Sequence, residues 1–245
     1  MLHAWYHLDL QSVMCNLTAS GAEVGNITLL RGDIKSQVPD HPACWEALKL
    51  AQESLPPSIF NHSFRVFLYT QALVDSPVPA VDAIGVSSIL SVSVPSHVLF
   101  AACILHDIGT AKEHDSAPNR FEIVGADVAA DILRSHGTDE QAIREAWLAI
   151  ALHDSPHIAE RVGGLVRAVR LGVRADFGSY PPPPVRSADV ITEQLPRLEI
   201  EKDLGDAVVR QVLERRDKAP GASWPGDLFR AKEANPEWNG INKGF

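Results

Sequence analysis

Residues 96–110 have the sequence SHVLFAACILHDIGT. The part from 98 to 105 is apolar on every side of a helix, which is typical of a helix surrounded by other helices. We predict that this helix opens after Pro95 and reaches the pair His106-Asp107. Burying an imidazole and a carboxylate side by side is costly unless each is paired or bound to a metal ion. The segment therefore predicts a helical core with a functional site at the end of its central helix.

Two helices are predicted upstream of this segment. One begins at Pro42 and is ended by Pro56-Pro57, because proline cannot continue a helix interior. The next runs over residues 57–74, and its apolar face follows a spacing of three and four residues. That face contains Ile59, His62, Val66 and Tyr69. His62 is therefore expected to point toward the packed side of its helix.

Further helical patterns follow downstream. We predict helices from Phe121 to His136, from a capping box at Thr138 and Gln141 as far as His153, from Glu160 to Asp176, and from Leu198 to Arg216. Residues 181–184 are all proline and must form a stiff loop. A short apolar run at residues 27–30 could be a strand or hairpin. The sum is an all-α fold of helices packed on helices.

The same patterns divide the chain into three regions. We expect a peripheral N-terminal arm over residues 1–41, a helical domain over residues 42–216, and an irregular C-terminal extension over residues 217–245 that packs on the domain. The aromatic residues of the arm and the extension permit a homo-oligomer, although packing on the chain's own core is the simpler interpretation. These residues are Trp5, Tyr6, Trp224 and Trp238.

Composition narrows the classes of function. The 245 residues include 22 basic and 31 acidic side chains, which gives a formal net charge of −9. Binding to nucleic acid or to an anionic membrane surface is therefore not expected, and a small neutral or cationic molecule is the expected partner. Three widely spaced cysteines do not form a disulfide framework or a CxxC metal site. With no export signal or membrane span visible, we expect a cytoplasmic protein.

The histidine and aspartate positions carry a resemblance to a known family. The order His62, His106-Asp107 and a later aspartate resembles the H…HD…D pattern of the HD superfamily of metal-dependent, all-helical hydrolases. Four blocks are also similar, in order and spacing, to the fungal cyanamide hydratases. They are NHSFRVF at 61–67, LHDIGT at 105–110, FEIVG at 121–125 and LGVRADFG at 171–178. The resemblance covers residues 45–180 and implies a single HD-domain helical bundle.

The resemblance implies a set of four metal ligands. These are His62, His106, Asp107 and Asp176. Two imidazoles and two carboxylates suit one divalent ion of zinc, iron or manganese, and the hydratase branch implies zinc. Asp189 is an alternative last ligand, because many HD enzymes place that aspartate after an alanine, as here. Asp176 is preferred, because Gly178 and the surrounding spacing match the hydratase branch.

The resemblance also implies residues for catalysis and substrate binding. His153 and Asp107 are the implied catalytic residues, and the implied pocket residues are Glu122, Thr110 and Asp154. The branch has arginine before its histidine and a glutamate or glutamine before its aspartate, so Leu152 and Asp154 alter the pocket wall here. Three other polar residues have no counterpart and are read as solvated loop residues. They are Lys112, His114 and His157.

The activity implied by the resemblance is that of a hydro-lyase. In this reaction a zinc-bound hydroxide hydrates cyanamide to urea. A closely related nitrile or isocyanide is an alternative substrate. His153 would neutralise the negative charge that develops on nitrogen. The main alternative is a metal-dependent phosphohydrolase, which needs basic side chains at the ion and could draw on Arg65, Lys112 or Arg120. A regulatory module with a degenerate site is a third interpretation, which the full ligand set disfavours.

Overall fold

The structure is a computed structural model that describes residues 35–76, 80–81, 87–88, 91–181, 183, 191 and 193–237. Several predicted features lie outside the described residues. They are the strand or hairpin at 27–30, most of the N-terminal arm with Trp5 and Tyr6, the alternative ligand Asp189, and Trp238.

Nine helices follow one another in the described part of the chain. They are α1 (Pro42–Ser54), α2 (Pro57–Val74), α3 (Ser96–Ile104), α4 (Phe121–Ser135), α5 (Glu140–Leu152), α6 (Ala159–Val162), α7 (Gly164–Asp176), α8 (Ile200–Glu214) and α9 (Trp224–Ala234). Short 3-10 turns cover Ile108–Thr110, Lys112–His114 and Arg216–Lys218. A two-residue antiparallel pair joins β1 (Ala80–Val81) to β2 (Ser87–Ser88). The prediction of an all-α fold is confirmed.

Helix α3 is the centre of the core. Each of its residues from Val98 to Ile104 is buried. The helix packs against α1, α2, α4 and α5, which explains why its sequence has no polar face. Burying an aliphatic or aromatic side chain of this kind stabilises the fold by about 1.5–3 kcal/mol. The predicted central helix is thus surrounded on all sides.

The structure corrects the predicted end of this helix. α3 ends at Ile104, and His106 and Asp107 lie in the turn that follows rather than on the helix. The backbone tightens there, because Ile108 N–H donates to the Leu105 carbonyl at 3.1 Å and Thr110 N–H donates to the Asp107 carbonyl at 2.9 Å. We call residues 105–115 the HD loop. Because His106 and Asp107 lie outside the helix, their side chains can both point toward the same corner between helices. Two neighbouring residues of a helix could not easily do this.

Three further boundaries differ from prediction. Asp139, not Thr138, caps α5, because its carboxylate accepts the Gln141 N–H at 2.9 Å. The predicted helix from 160 to 176 is divided by Gly163, whose φ of 81° interrupts it. The C-terminal extension is not wholly irregular, since α9 begins behind Ser223, whose hydroxyl accepts a backbone N–H of the first turn.

Helices α2 and α7 pack closely enough to bring two ends of the site together. A Cβ atom added to Gly172 would lie 3.0 Å from the carbonyl oxygen of Val66 and 2.1 Å from the hydroxyl oxygen of Thr70. His62, one turn nearer the start of α2, meets Asp176, one turn nearer the end of α7, so the two helices run antiparallel. Among the described helices, none is both long and apolar enough to span a membrane.

Candidate metal centre

Three side chains from two elements direct ligand atoms at one point. His62 Nε2 of α2 lies 3.2 Å from His106 Nε2 and 3.6 Å from Asp107 Oδ2. His106 Nε2 lies 3.2 Å from the same carboxylate oxygen. All three side chains are at most 1 % exposed. Within the described residues, this is the one His, Cys, Asp or Glu group compact enough to hold a metal ion.

The hydrogen bonds of the two imidazoles engage their Nδ1 atoms, so their Nε2 atoms face this point. His106 Nδ1 lies 2.7 Å from the Cys103 carbonyl, which can only accept, so Nδ1 carries the proton. His62 Nδ1 in the same way lies 2.6 Å from Asp176 Oδ2. A neutral imidazole protonated at Nδ1 presents a lone pair at Nε2, which is the form that binds metals.

The Asp107 carboxylate supports the fit to a cation. Both of its oxygens are buried and have no hydrogen-bond partner. Burial lowers the pKa of His62, whereas Asp107 raises the pKa of His106 even though burial opposes that shift. Burial would raise the pKa of Asp107 itself, but His106 holds it below its usual range. The three groups therefore favour a positive charge between them, and two imidazoles with a carboxylate fit a divalent ion such as zinc.

Asp176 lies on the other side of the His62 ring. Its Oδ1 accepts from Arg65 Nε at 2.6 Å, and its Oδ2 accepts from Arg65 Nη2 at 2.8 Å and faces His62 Nδ1. The structure thus brings His62, His106 and Asp107 together and places Asp176 behind them. A carboxylate that receives the Nδ1–H of a metal-binding histidine fixes the tautomer and orientation of that ring.

His153 lies beside the three-residue group at the C-terminal end of α5. It is 4 % exposed, its ring centroid is 4.9 Å from that of His106, and its Nε2 is 3.6 Å from Asp107 Oδ1. Burial, followed by the neighbouring charge of His106, lowers the pKa of His153. The backbone there is held by Arg170, whose Nη1 donates to the His153 carbonyl at 3.0 Å.

The implied pocket residues have different surroundings. Glu122 is fully buried, and its pKa is raised well above the usual value by burial and then by Asp154. Arg120 Nη2 donates to Glu122 and lies 3.7 Å from Asp154 Oδ1. Thr110 is also buried, but its hydroxyl donates to the Asp107 carbonyl at 2.7 Å, which leaves only lone pairs for a substrate.

The three residues read as solvated loop positions lie near or at the surface. Lys112 and His157 are exposed, and His157 has a positive φ of 67°. His114 is half-buried, and its carbonyl oxygen accepts from Lys218 Nζ at 2.7 Å. None of these side chains belongs to the three-residue group.

Sequence reasoning missed the buried arginines that support the site. The sequence offers Arg65 as a candidate phosphate-binding residue, whereas its side chain is 3 % exposed and binds Asp176. A signal for it was present, because Arg65 is a charged residue three positions after His62 on a helix whose other residues there are apolar or small. Arg170 had no comparable signal, since its contact with His153 depends on how α5 and α7 pack.

Comparison with known proteins agrees with this geometry. The family model described as the HD domain matches residues 59–239, which is well over half of the chain. No curated protein matches the chain significantly. HD domains bind divalent metals, and the buried His62, His106 and Asp107 group offers the ligand atoms for one. The chain therefore belongs to the HD-domain family, which implies a metal-dependent enzyme of the hydrolase type.

Proposed function

We propose that this protein is a metal-dependent hydratase that adds water to cyanamide, or to a closely related small nitrile-type substrate, with urea as the product from cyanamide. Family membership is equally consistent with a phosphohydrolase. The observation that carries the proposal is that three arginines around the centre, Arg65, Arg120 and Arg197, already donate to carboxylates or carbonyls. A small uncharged substrate needs no free cation, whereas a phosphate ester does.

Arg65 binds Asp176 behind the ligand set, and each of its three nitrogens already donates a hydrogen bond. Nε and Nη2 bind Asp176, and Nη1 donates to the carbonyl oxygens of Leu195 at 2.9 Å and Pro196 at 3.2 Å. A guanidinium that is 3 % exposed and committed in this way is poorly placed to bind a phosphate. Its role is to hold Asp176 against His62.

Two other arginines at the site are neutralised as well. Arg120 donates to the buried Glu122 and lies beside Asp154. Arg197 donates to Glu201 through Nη2 and is 42 % exposed. Pairing with carboxylates removes the net positive charge that a nucleotide substrate would need. The surroundings of the centre thus favour a neutral substrate.

The residues present fit a divalent ion. His62, His106 and Asp107 would hold it, and Asp176 is proposed as the carboxylate that completes or supports this set. When bound, a divalent ion supplies Lewis acidity, which lowers the pKa of water from about 15.7 toward about 7. The chain's own contribution is to present two Nε2 lone pairs and an unpartnered carboxylate on buried side chains.

His153 is proposed to move the proton. Its Nδ1 donates to the Ile150 carbonyl at 2.7 Å, so Nε2, 3.6 Å from Asp107 Oδ1, is the position open for proton transfer. The lowered pKa keeps this imidazole neutral at pH 7, so Nε2 can take a proton from water. Nε2 then gives that proton to the nitrile nitrogen while the new C–O bond forms. The resulting hydroxy-imine tautomerises to urea.

Glu122 and Asp154 are proposed to bind the amino group of the substrate. Glu122 Oε2 and Asp154 Oδ2 are buried without a hydrogen-bond partner. Carboxyl oxygens accept N–H groups, so each of these two oxygens has an acceptor to offer. Such a pair suits cyanamide, whose –NH₂ group offers two donors, and would repel a phosphate.

The test compares two products from one preparation. Protein loaded with zinc is incubated with cyanamide and assayed for urea, and in parallel with nucleoside mono-, di- and triphosphates and assayed for inorganic phosphate. We expect urea release and no phosphate release. Phosphate release without urea would establish the phosphohydrolase alternative instead.

Two variants make this assay specific. His106→Ala is expected to lose both bound zinc and urea release, because it removes one of three ligand atoms. His153→Gln is expected to keep its zinc and to lower kcat by about 10²–10⁴-fold, the usual contribution of a general acid or base. A His153→Gln protein with full activity would contradict the proton-transfer role.

A further inference from the structure

We infer that Arg210, Gln211 and Lys218 are positioning residues that hold the HD loop, and with it Asp107, in the geometry that binds the metal ion. This inference rests on the metal-binding part of the proposed function and not on the identity of the substrate. Two of the residues lie near the end of α8 and the third lies in the 3-10 turn that follows. We call them the C-terminal clasp.

Each clasp residue binds the backbone or a carboxylate of the HD loop. Gln211 Nε2 donates to the Gly109 carbonyl at 2.8 Å, and Arg210 Nη2 donates to the Thr110 carbonyl at 2.9 Å. Arg210 also binds both carboxylate oxygens of Asp115, with Nε at 2.7 Å and Nη2 at 2.9 Å. The loop is thereby held at the consecutive residues Gly109 and Thr110 and again at Asp115.

Lys218 is the third residue of the clasp. Its Nζ donates to the His114 carbonyl at 2.7 Å and to Gln211 Oε1 at 3.2 Å. Lys218 and Gln211 are each only 2 % exposed. Lysine is almost never buried to this extent unless it is paired, and burial lowers the pKa of this ammonium. A buried amide and a buried ammonium both donate to main-chain carbonyls of the HD loop. This indicates that the position of the loop is important for the site.

The HD loop connects the clasp to the proposed metal ligand Asp107. Thr110 donates twice to the Asp107 carbonyl, from its N–H at 2.9 Å and from its hydroxyl at 2.7 Å. The Asp107 carboxylate has no hydrogen bond of its own. Its direction therefore depends on where the main chain lies, and Arg210 holds that chain through the carbonyl of Thr110.

Helix α8 is docked independently of the clasp. Val208 and Val209 pack in an apolar cluster with Phe121 and Leu228. Because these contacts do not involve the clasp, its polar side chains can be changed while the helix stays in place. The clasp can thus be tested apart from the folding of the chain.

The test measures zinc affinity of the full chain by competition with a chromophoric chelator. Loss of an outer-shell partner typically weakens metal affinity by about 10–100-fold. We expect a loss in this range for Arg210→Ala and for Gln211→Glu. Gln211→Glu keeps an acceptor for Lys218 but loses the donor to Gly109. Arg210→Lys keeps a cation for Asp115 and is expected to recover part of the affinity.

Arg215→Ala is the matched control, because Arg215 lies in the same segment but pairs with Asp217 on the surface. Its zinc affinity should equal that of the wild type. The visible spectrum of the cobalt-substituted protein provides a second readout, since a displaced Asp107 changes the ligand field and a merely structural effect does not. Wild-type affinity and spectrum in both Arg210→Ala and Gln211→Glu would overturn the inference.

Should Arg210→Ala fail to fold, Gln211→Glu carries the same test alone. Failure of the proposed function has a different signature. A wild-type chain that binds zinc tightly but releases no urea would overturn the hydratase proposal, while a clasp variant with weakened zinc binding would still support the clasp.

Discussion

At the scale of single residues, the carboxylate of Asp176 shows how the site is supported. It is 5 % exposed, and it bonds to Arg65 through both oxygens and to His62 through one. Burial would raise the pKa of this carboxyl, but the bonds to Arg65 and then to His62 hold it below its usual range. The aspartate therefore stays ionised and keeps the proton of His62 on Nδ1.

Arg65→Met tests this support. The change leaves Asp176 buried without its main partner, and breaking a buried ion pair in this way typically costs about 3–5 kcal/mol. We expect the metal-free protein to lose this much free energy of unfolding in urea. Arg134→Ala is the control, because Arg134 pairs with Glu140 at the surface, where solvent screens the pair and its contribution to stability is small. Equal losses in both variants would contradict the role of Arg65.

Glu122 is expected to make stability depend on pH in the opposite sense to an ordinary paired carboxylate. Its pKa is raised above the usual 4.5, first by burial and then by Asp154. A raised pKa in the folded state means that the stabilising contribution is complete below 4.5 and is lost as pH rises through the raised value.

Glu122→Gln removes this titration. We expect its unfolding free energy to fall less than that of the wild type as pH rises above 4.5, measured by urea unfolding of metal-free protein at several pH values. The lowered histidine pKa values contribute equally to both proteins and cancel in the difference. Parallel curves for the two proteins would show that Glu122 does not titrate in this way.

At the scale of elements, proline and glycine made most helices predictable. Pro42, Pro57 and Gly137 mark ends of α1, α2 and α4, because their backbone restrictions act locally. The end of α3 was not predictable, since apolar sequence continues to Leu105 and only packing decides where an α-helix tightens into a 3-10 turn. Helix α9 was missed because its proline reads as a breaker unless Ser223 is recognised as the cap.

The site was predictable in its composition and less so in its geometry. The motif spacing indicated His62, His106 and Asp107, which meet in the structure. The pairing of Asp176 with Arg65 depends on the antiparallel packing of α2 against α7, which no local pattern encodes. Tertiary contacts of this kind cannot be predicted from the hydrophobic periodicity of the sequence.

The HD loop packs against α4 without any space at Gly109. A Cβ atom there would lie 2.0 Å from the carbonyl oxygen of Phe121, which is far inside van der Waals contact. We expect Gly109→Ala to lower the unfolding free energy by at least about 3 kcal/mol, the upper range for overpacking. Gly221→Ala, where a Cβ meets open space, should change it by less than about 0.5 kcal/mol. Urea unfolding of both variants checks the contrast, and a tolerated alanine at Gly109 would contradict the close packing.

At the scale of the whole molecule, the site is assembled from distant parts of the chain. His62 and Asp176 come from antiparallel helices, His153 ends α5, and the HD loop is held from α8. These groups all lie within the proposed domain over residues 42–216, and Lys218 of the clasp lies just beyond it.

The C-terminal extension is expected to stabilise the fold around this centre although it contains none of the proposed ligands. Leu228 of α9 is fully buried against Phe121, Val208 and Val209, and Phe121 is the residue whose carbonyl meets Gly109. Leu228→Ala should therefore lower the unfolding free energy by about 2–5 kcal/mol, as is usual for a buried leucine. Urea unfolding gives this value, and zinc affinity of the folded variant should stay close to that of the wild type because the clasp is intact. If the extension were a separate unit, Leu228→Ala would leave the main unfolding transition unchanged.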